Sequence, residues 1–210
     1  MAEEARTKHL VLLGTFFLGF IWSGVRPHDY LTWSLEVAPA VVAAVILVFT
    51  YDSFEFTTLA YFIVWLHAWV LLVGGHYTYA EEPLFNWIRD HYGLSRNYYD
   101  RVGHLFQGFV PAIVAREILL RKSPLKKGGW LFFLVVCVCL AASAFYEFIE
   151  WWVAVASGTA ADAFLATQGD VWDTQWDMFM SFIGTFISQV TLRGAHDRAL
   201  ERLLRGRDES

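Results

Sequence analysis

Six long apolar stretches are the feature of this sequence that most constrains its fold. They lie near residues 9–25, 33–50, 57–74, 101–120, 129–150 and 173–192. A bilayer core about 30 Å thick requires roughly 20 apolar residues per helix, and backbone groups within it must be hydrogen-bonded inside their own segment. The sequence therefore predicts an all-α, polytopic integral membrane bundle with about six transmembrane helices.

Composition supports a single bundle. Charged residues make up 18% of the chain and hydrophobic residues 56%, whereas about a quarter of the residues in a soluble domain are charged. We expect a transmembrane bundle domain over residues 1–192 and a cytoplasmic basic tail over 193–210. Apolar residues alternate with arginines in the tail, which indicates a surface helix drawn to anionic lipid or a continuation of the sixth span.

The distribution of basic residues predicts the orientation. Lys and Arg precede span one, join spans four and five and follow span six, and six spans bring all three places to one side of the membrane. Cytoplasmic loops are enriched in these residues, so we expect a multi-pass inner-membrane protein with both termini in the cytoplasm. We expect membrane lipids and no nucleic acid as partners, and the sequence does not specify an oligomeric state.

The two long outer connections differ in how well they can be predicted. Residues Glu81-Glu82-Pro83 are typical of a helix start and Gly93 of a helix end, so a short helix is expected to lie on the outer leaflet. The connection over residues 151–172 is compatible with a lid, a re-entrant segment or a plain loop.

Ionisable residues gather at the outer ends of three spans. Asp100 and His104 lie four residues apart in span four, Glu147 ends span five, and Asp177 lies near the start of span six. A helix rises 1.5 Å per residue, which places His104, Glu147 and Asp177 roughly 24–27 Å above the inner ends of their spans and therefore at one depth in the membrane. Charged groups in a membrane are costly and usually face the bundle interior, so this depth is a candidate site.

A structural interpretation competes with this one. Asp100, Asp170 and Asp173 all stand near helix starts, where an aspartate can cap the helix, and His104 can hydrogen-bond a neighbouring helix. Asp177 lies one turn below Asp173, where capping no longer explains it.

The residue types predict three kinds of role. Carboxylates with histidine suit Zn²⁺, Mn²⁺ or Mg²⁺, and such a divalent metal is the cofactor that these residues indicate, whereas the sequence does not indicate any other. The candidate catalytic residues are Asp177, His104 and Glu147. The candidate metal ligands are His104, Asp100, Glu147, Asp173, Asp177 and His76. The candidate substrate-binding residues are Arg101, Glu150, Trp172 and Trp176. Arg101 is expected either to pair with Glu147 or Glu150 or to hold an anionic head group. The tryptophans are expected either to anchor the chain at the membrane surface or to line a cavity.

Four sequence runs resemble a known family. HYTYAEEPLFNW (76–87), RNYYDRVGHLFQGFVPA (96–112), EFIEWW (147–152) and QGDVWDTQWDM (168–178) are similar to the YjdF family of bacterial inner-membrane proteins, over nearly the whole chain. This resemblance implies a multi-span inner-membrane protein and brings no established activity.

A looser resemblance concerns the VanZ-like pattern. Asp100-Arg101-x-x-His104, followed by Asp177-x-x-x-Ser181-x-x-Gly184, is similar to it, with Ser181 where that pattern prefers Asn. VanZ-like proteins are associated with envelope and glycopeptide phenotypes, so the resemblance implies a role at the outer face.

Three functions remain open at this point. The first is metal-assisted chemistry on a lipid or lipid-linked envelope substrate. The second is a small transporter or channel, for which Arg116, Thr185, Ser188 and Gln189 offer a polar trail inward. The third is a non-catalytic membrane interaction protein whose buried acids only order the bundle.

Overall fold

All six predicted spans are helical. The computed structural model describes residues 2–158 and 162–208, and these residues form helices and connections without a strand. This confirms the predicted fold class. The helices are α1 (Ala2–Gly24), α2 (Tyr30–Thr50), α3 (Thr58–Tyr77), α4 (Pro83–Tyr92), α5 (Tyr99–Lys122), α6 (Gly129–Ser157), α7 (Asp162–Leu165), α8 (Asp173–Thr191) and α9 (Arg193–Asp208), with a 3₁₀ turn at Tyr79–Glu81.

The long helices alternate in direction, so the bundle has two ends. Helices α1, α3 and α6 run towards the end where α5 and α8 begin, which we call the site end. The opposite end, where α1 begins and α9 lies, is the terminal end. The antiparallel register of α6 and α8 is visible in the bond from Gln189 Nε2 to the Phe132 carbonyl, at 3.2 Å.

The short helix between α3 and α5 forms as predicted. Pro83 is its first residue, and the carboxylate of Glu82 accepts the backbone N–H of Phe85 at 2.8 Å. The helix ends at Gly93, whose φ of 64° is the left-handed conformation that glycine adopts without steric cost.

Hydropathy divides the long helices into two groups. Helices α2, α3 and α6 are long and apolar enough to cross a membrane by length and composition. Helices α5 and α8 carry the charged residues and make the most extensive helix–helix contact of the described chain. Charges that face a protein partner avoid the cost of facing lipid. The charged faces of α5 and α8 are therefore turned towards each other inside the bundle.

Two glycines allow α5 and α8 to approach so closely. A Cβ atom on Gly108 would lie 1.8 Å from the backbone oxygen of Ser181, and one on Gly184 would lie 2.0 Å from that of Leu105. Thr185 Oγ1 also donates to the Gly108 carbonyl at 3.2 Å. Small residues at such contacts are the usual means by which membrane helices pack backbone to backbone.

We predict that Gly108→Ala destabilises the bundle, because the new methyl group meets backbone atoms that cannot rotate away. Overpacking of this kind costs about 1–3 kcal/mol. Gly14→Ala is the matched control, since no atom of the described residues outside its own helix backbone lies within 4 Å of the added Cβ. Thermal unfolding in detergent should give a lower Tm for Gly108→Ala only, and equal Tm values for the two variants would contradict the close approach of α5 and α8.

Candidate functional site

Arg101 lies at the centre of a buried charged cluster at the site end. Only 7% of the residue is exposed. Its Nη2 atom donates to Asp170 Oδ2 at 3.1 Å and to Asp173 Oδ1 at 2.6 Å. Its Nη1 atom donates to Asp100 Oδ2 at 3.0 Å and to Asp177 Oδ1. One guanidinium thus binds carboxylates from α5, from α8 and from the connection before α8.

Arg96 is the second buried guanidinium. It precedes α5 and is 5% exposed. Its Nη1 atom donates to Asp173 Oδ1 at 2.7 Å, and its Nη2 atom lies 3.4 Å from Asp100 Oδ2 and 3.0 Å from the Ala166 carbonyl oxygen. Asp173 Oδ1 is therefore shared by both arginines, and Asp173, an expected metal ligand, belongs to neither group of potential ligands among the described residues.

The segment 164–170 is tied onto the start of α5. The side chain of Gln168 accepts the N–H of Asn97 at 2.9 Å and donates to the carbonyl of Asn97 at 2.8 Å. Ala166 and Gln168 both have a φ of 49°, an uncommon conformation for residues other than glycine. Of the connection that we could not classify, residues 159–161 lie outside the described chain, and the part after them packs against the cluster.

The hydrogen bonds of His104 leave one nitrogen facing two carboxylates. Its Nδ1 atom lies 2.8 Å from Gln107 Oε1, and the tautomer with the proton on Nδ1 donates to this amide oxygen. Its Nε2 atom lies 3.3 Å from Asp100 Oδ1 and 3.6 Å from Asp177 Oδ1. A neutral imidazole would direct its lone pair at these anionic oxygens, so the arrangement requires a second proton on the ring or a bound cation.

The distances around Nε2 fit a metal as well as a proton. Ligand atoms 2.0–2.2 Å from a tetrahedral metal are separated from each other by about 3.3–3.6 Å. Asp100, His104 and Asp177 form one group whose potential ligand atoms lie within 4.8 Å of one another.

Glu147 and Glu150 lie on the α6 side of the same histidine. With His104 they form a second group of potential ligands within 4.8 Å. Glu147 is 7% exposed, and its Oε1 atom has no hydrogen-bond partner among the described residues. Ser143, one turn deeper in α6, is fully buried and its hydroxyl also has no partner within that part of the chain. Glu147 thus offers an uncommitted acceptor beside His104.

The structure brings most of the predicted site residues together. His104 forms one group of potential ligands with Asp100 and Asp177 and a second group with Glu147 and Glu150. Their chemical roles stay predictions.

Three of the predicted site residues lie apart from the histidine. His76 belongs to neither group of potential ligands: its Nδ1 atom donates to the Ser23 carbonyl at 3.0 Å, and its ring stacks on Trp22 at 4.7 Å. Trp172 and Trp176 are 63% and 47% exposed, at the surface of the site end.

The contacts of these residues bear on alternatives that the sequence left open. Arg101 pairs with four aspartates, and neither Glu147 nor Glu150 is among its partners in the described chain. Asp100 and Asp173 stand in the first turns of α5 and α8 without a side-chain cap bond among the described residues, and Asp170 Oδ1 accepts the N–H of Trp172 at 2.9 Å. Burial beside a guanidinium offered these carboxylates stronger charge-assisted bonds than a helix terminus does.

Sequence reasoning missed Arg96 and Gln107. Arg96 stands four residues before Asp100, a spacing that often signals an ion pair, but it lies outside the apolar stretch that we treated as the span. Gln107 stands three residues after His104, on the same helix face, and this spacing is the feature of the sequence that could have indicated it.

A second buried network at the terminal end was also missed. Glu117 is fully buried and accepts hydrogen bonds from Thr57 Oγ1 at 2.8 Å, from Arg121 Nη1 at 2.7 Å and from His196 Nε2 at 3.0 Å. His196 Nδ1 accepts from Arg116 Nη1 at 2.5 Å, since a guanidinium can only donate. Glu117 is an acidic residue within the predicted span 101–120, and this could have indicated a buried charged network.

This network attaches the tail to the bundle. His196 and Leu200 face inwards from α9, 0% and 5% exposed, whereas Arg193, Arg198, Arg202 and Arg205 are exposed. Arg116 Nη2 also donates to Asp197 Oδ1 at 2.7 Å. Burial opposes the ionisation of Asp197, but the hydrogen bond and charge of Arg116, with the charge of Lys127, outweigh it and lower the pKa of Asp197. Helix α9 is therefore docked by one face.

We predict that His196→Ala releases α9, because Glu117 and Arg116 both lose their partner in a buried site. Breaking a buried charged network in this way costs about 3–5 kcal/mol. Hydrogen exchange of the amides in 193–208 should accelerate strongly, whereas Arg202→Ala, an exposed change on the same helix, should leave it unchanged. His196→Gln, which keeps a donor and an acceptor, should restore part of the protection. Unchanged exchange in His196→Ala would show that the network does not hold the tail.

Comparison with known proteins agrees with the membrane architecture. Residues 8–198 match a family described as "Predicted membrane protein (DUF2238)". The chain is 48% identical over 188 residues to the "Inner membrane protein YjdF" of Escherichia coli (strain K12), a match that covers 90% of each protein. No solved structure matches the chain. The resemblance to the YjdF family is therefore confirmed, and the chain belongs to the DUF2238 family of membrane proteins, as an integral protein of the inner membrane.

Proposed function

We propose that the site end binds a divalent cation between Asp100, His104 and Asp177, and that this site supports chemistry on the head group of a lipid or lipid-linked envelope molecule. The observation that carries the proposal is the Nε2 atom of His104, which lies 3.3 and 3.6 Å from oxygens of the two aspartates. A cation bound by all three atoms satisfies the histidine lone pair and both carboxylates at once.

The charge balance of the cluster favours a dication. Four aspartates surround two arginines, which leaves a formal charge of −2 before Glu147 and Glu150 are counted. Uncompensated charge in a low-dielectric interior is costly, so a bound dication would stabilise the cluster. Oxygen-rich sites with one histidine suit Zn²⁺, Mn²⁺ and Mg²⁺ to different degrees, and the choice among them is a matter for measurement.

The surrounding residues support roles in a reaction. A bound cation would polarise an ester or phosphate oxygen and activate water. Glu147, whose Oε1 atom has no partner among the described residues, is then placed to accept a proton from the attacking group. Gln107 positions His104 through Nδ1. Arg101 is saturated by aspartates, so we assign it to the support of Asp177 and not to a substrate head group.

The exposed aromatic residues around the site end favour an amphipathic substrate. Trp151, Trp172 and Trp176 are 61%, 63% and 47% exposed. Tryptophan side chains prefer the membrane–water boundary, where lipid head groups lie. A substrate held in the bilayer would meet these rings before it reached Glu150 and His104.

We predict that purified wild-type protein contains close to one divalent metal per chain and that His104→Ala and Asp177→Asn both lose it. The control is His76→Gln, which alters a histidine at the same end that belongs to neither ligand group. Elemental analysis should accompany circular dichroism, so that loss of metal is separated from loss of fold. The proposal fails if the wild type holds no stoichiometric metal and gains no thermal stability from Zn²⁺, Mn²⁺ or Mg²⁺. Wild type and variants would then be compared for turnover of envelope lipids.

Transport is the second candidate, and buried hydroxyl groups favour it. Ser181, Thr185 and Ser188 are fully buried on one face of α8, and the hydroxyls of Ser181 and Ser188 have no partner among the described residues. Such groups are usually satisfied by water. A chain of hydrogen-bonded water molecules along α8 would connect the two charged networks and carry protons or cations.

Ion flux in proteoliposomes that is abolished by Ser181→Ala, together with absence of bound metal, would favour this function.

A further inference from the structure

The terminal end contains an apolar groove that neither charged network uses. Helices α1 and α2 both pack along α3 but scarcely contact each other, and the gap between them encloses a volume of about 280 Å³. Leu13, Phe16, Ala44 and Ala68 contribute to its walls. Its volume is near the lower limit of small-molecule pockets.

The depth of the groove corresponds to one leaflet of a bilayer. Its lining runs along α1 from Arg6 to Phe16, ten residues that rise by about 15 Å in a helix. Half of a hydrocarbon core about 30 Å thick has the same depth. Apolar walls of this length, open between two membrane helices, fit a single acyl chain.

The mouth of the groove carries one positive and one negative side chain. Arg6 and Asp52 both line it and are exposed, and neither forms an ion pair with another described residue. The neighbouring Lys8 is already paired with Glu4 at 2.7 Å. Between them, His9 is held by Tyr51 Oη at 2.9 Å and Thr58 Oγ1 at 3.0 Å. An arginine suits a phosphate, and an aspartate suits a primary ammonium group.

We propose that this groove binds a zwitterionic phospholipid with a primary ammonium head group, of the phosphatidylethanolamine type. One acyl chain lies along Phe16 and Ala44, the phosphate lies at Arg6, and the ammonium group lies at Asp52. The inference is independent of the cation site, which lies at the other end of the bundle.

Native mass spectrometry of the full chain, titrated with phospholipids of matched acyl chains, tests the proposal. We expect one phosphatidylethanolamine to bind about fivefold more tightly than phosphatidylglycerol, since one favourable charge contact near a membrane surface contributes about 1 kcal/mol. Phosphatidylcholine, whose ammonium has no N–H donor, should bind between them. Asp52→Asn should shift the preference towards phosphatidylglycerol, and Arg6→Gln should weaken the binding of both lipids.

A pair of α2 variants separates the groove from the general lipid surface. Ala44→Phe fills the groove and should remove the selective lipid, whereas Val42→Phe, on a residue 55% exposed elsewhere on the same helix, should not. Equal loss or equal retention in the two variants would overturn the proposal. Head-group selectivity that is absent from the wild type, or unchanged in both charge variants, would show non-selective lipid contact only.

Discussion

The neutralisation of two buried guanidinium groups is the interaction on which the arrangement of the bundle depends. Arg101 binds aspartates from α5, from α8 and from the segment between α6 and α8, so these elements cannot separate without leaving charges unpaired. Leaving a buried charge without its partner costs about 3–5 kcal/mol. Gly108 and Gly184 permit the close helix approach that these short bonds require.

The same constraint explains why the charged faces of the long helices are buried against other helices. Helix α5 carries Asp100 and Arg101 at one end and Arg116 and Glu117 at the other, about 24 Å apart at 1.5 Å per residue. Neither pair can face lipid, so α8 and α9 cover α5 with complementary groups while α2, α3 and α6 supply apolar surface. Length and composition consequently identify only α2, α3 and α6 among the described helices as membrane-spanning candidates, whereas α1, α5 and α8, which the sequence also predicted to be spans, are not among these candidates.

The helices and the depth of the site were predictable from sequence because both depend on local quantities. Hydropathy and the rise per residue place His104, Glu147 and Asp177 at one level without knowledge of their neighbours. The partners were not predictable, because each depends on how a helix is rotated about its axis. Arg101 reaches Asp173, 72 residues away, and His196 reaches Glu117, 79 residues away. The spacing of residues within one helix does not show which residues of another helix they contact.

The two charged networks of this chain differ in a way that bears on function. At the terminal end, Arg116 pairs with Asp197 and Arg121 pairs with Glu117, so the formal charges balance. His196 donates one hydrogen bond to Glu117 and accepts one from Arg116, so both of its ring nitrogens are satisfied. At the site end, carboxylates outnumber guanidinium groups, and the lone pair of a neutral His104 would meet two anionic oxygens. A second proton on His104 removes one unit of this excess, and a bound dication removes more of it. The imbalance is the physical difference between the two networks, and the metal content of the purified protein distinguishes a proton from a bound cation as the group that reduces it.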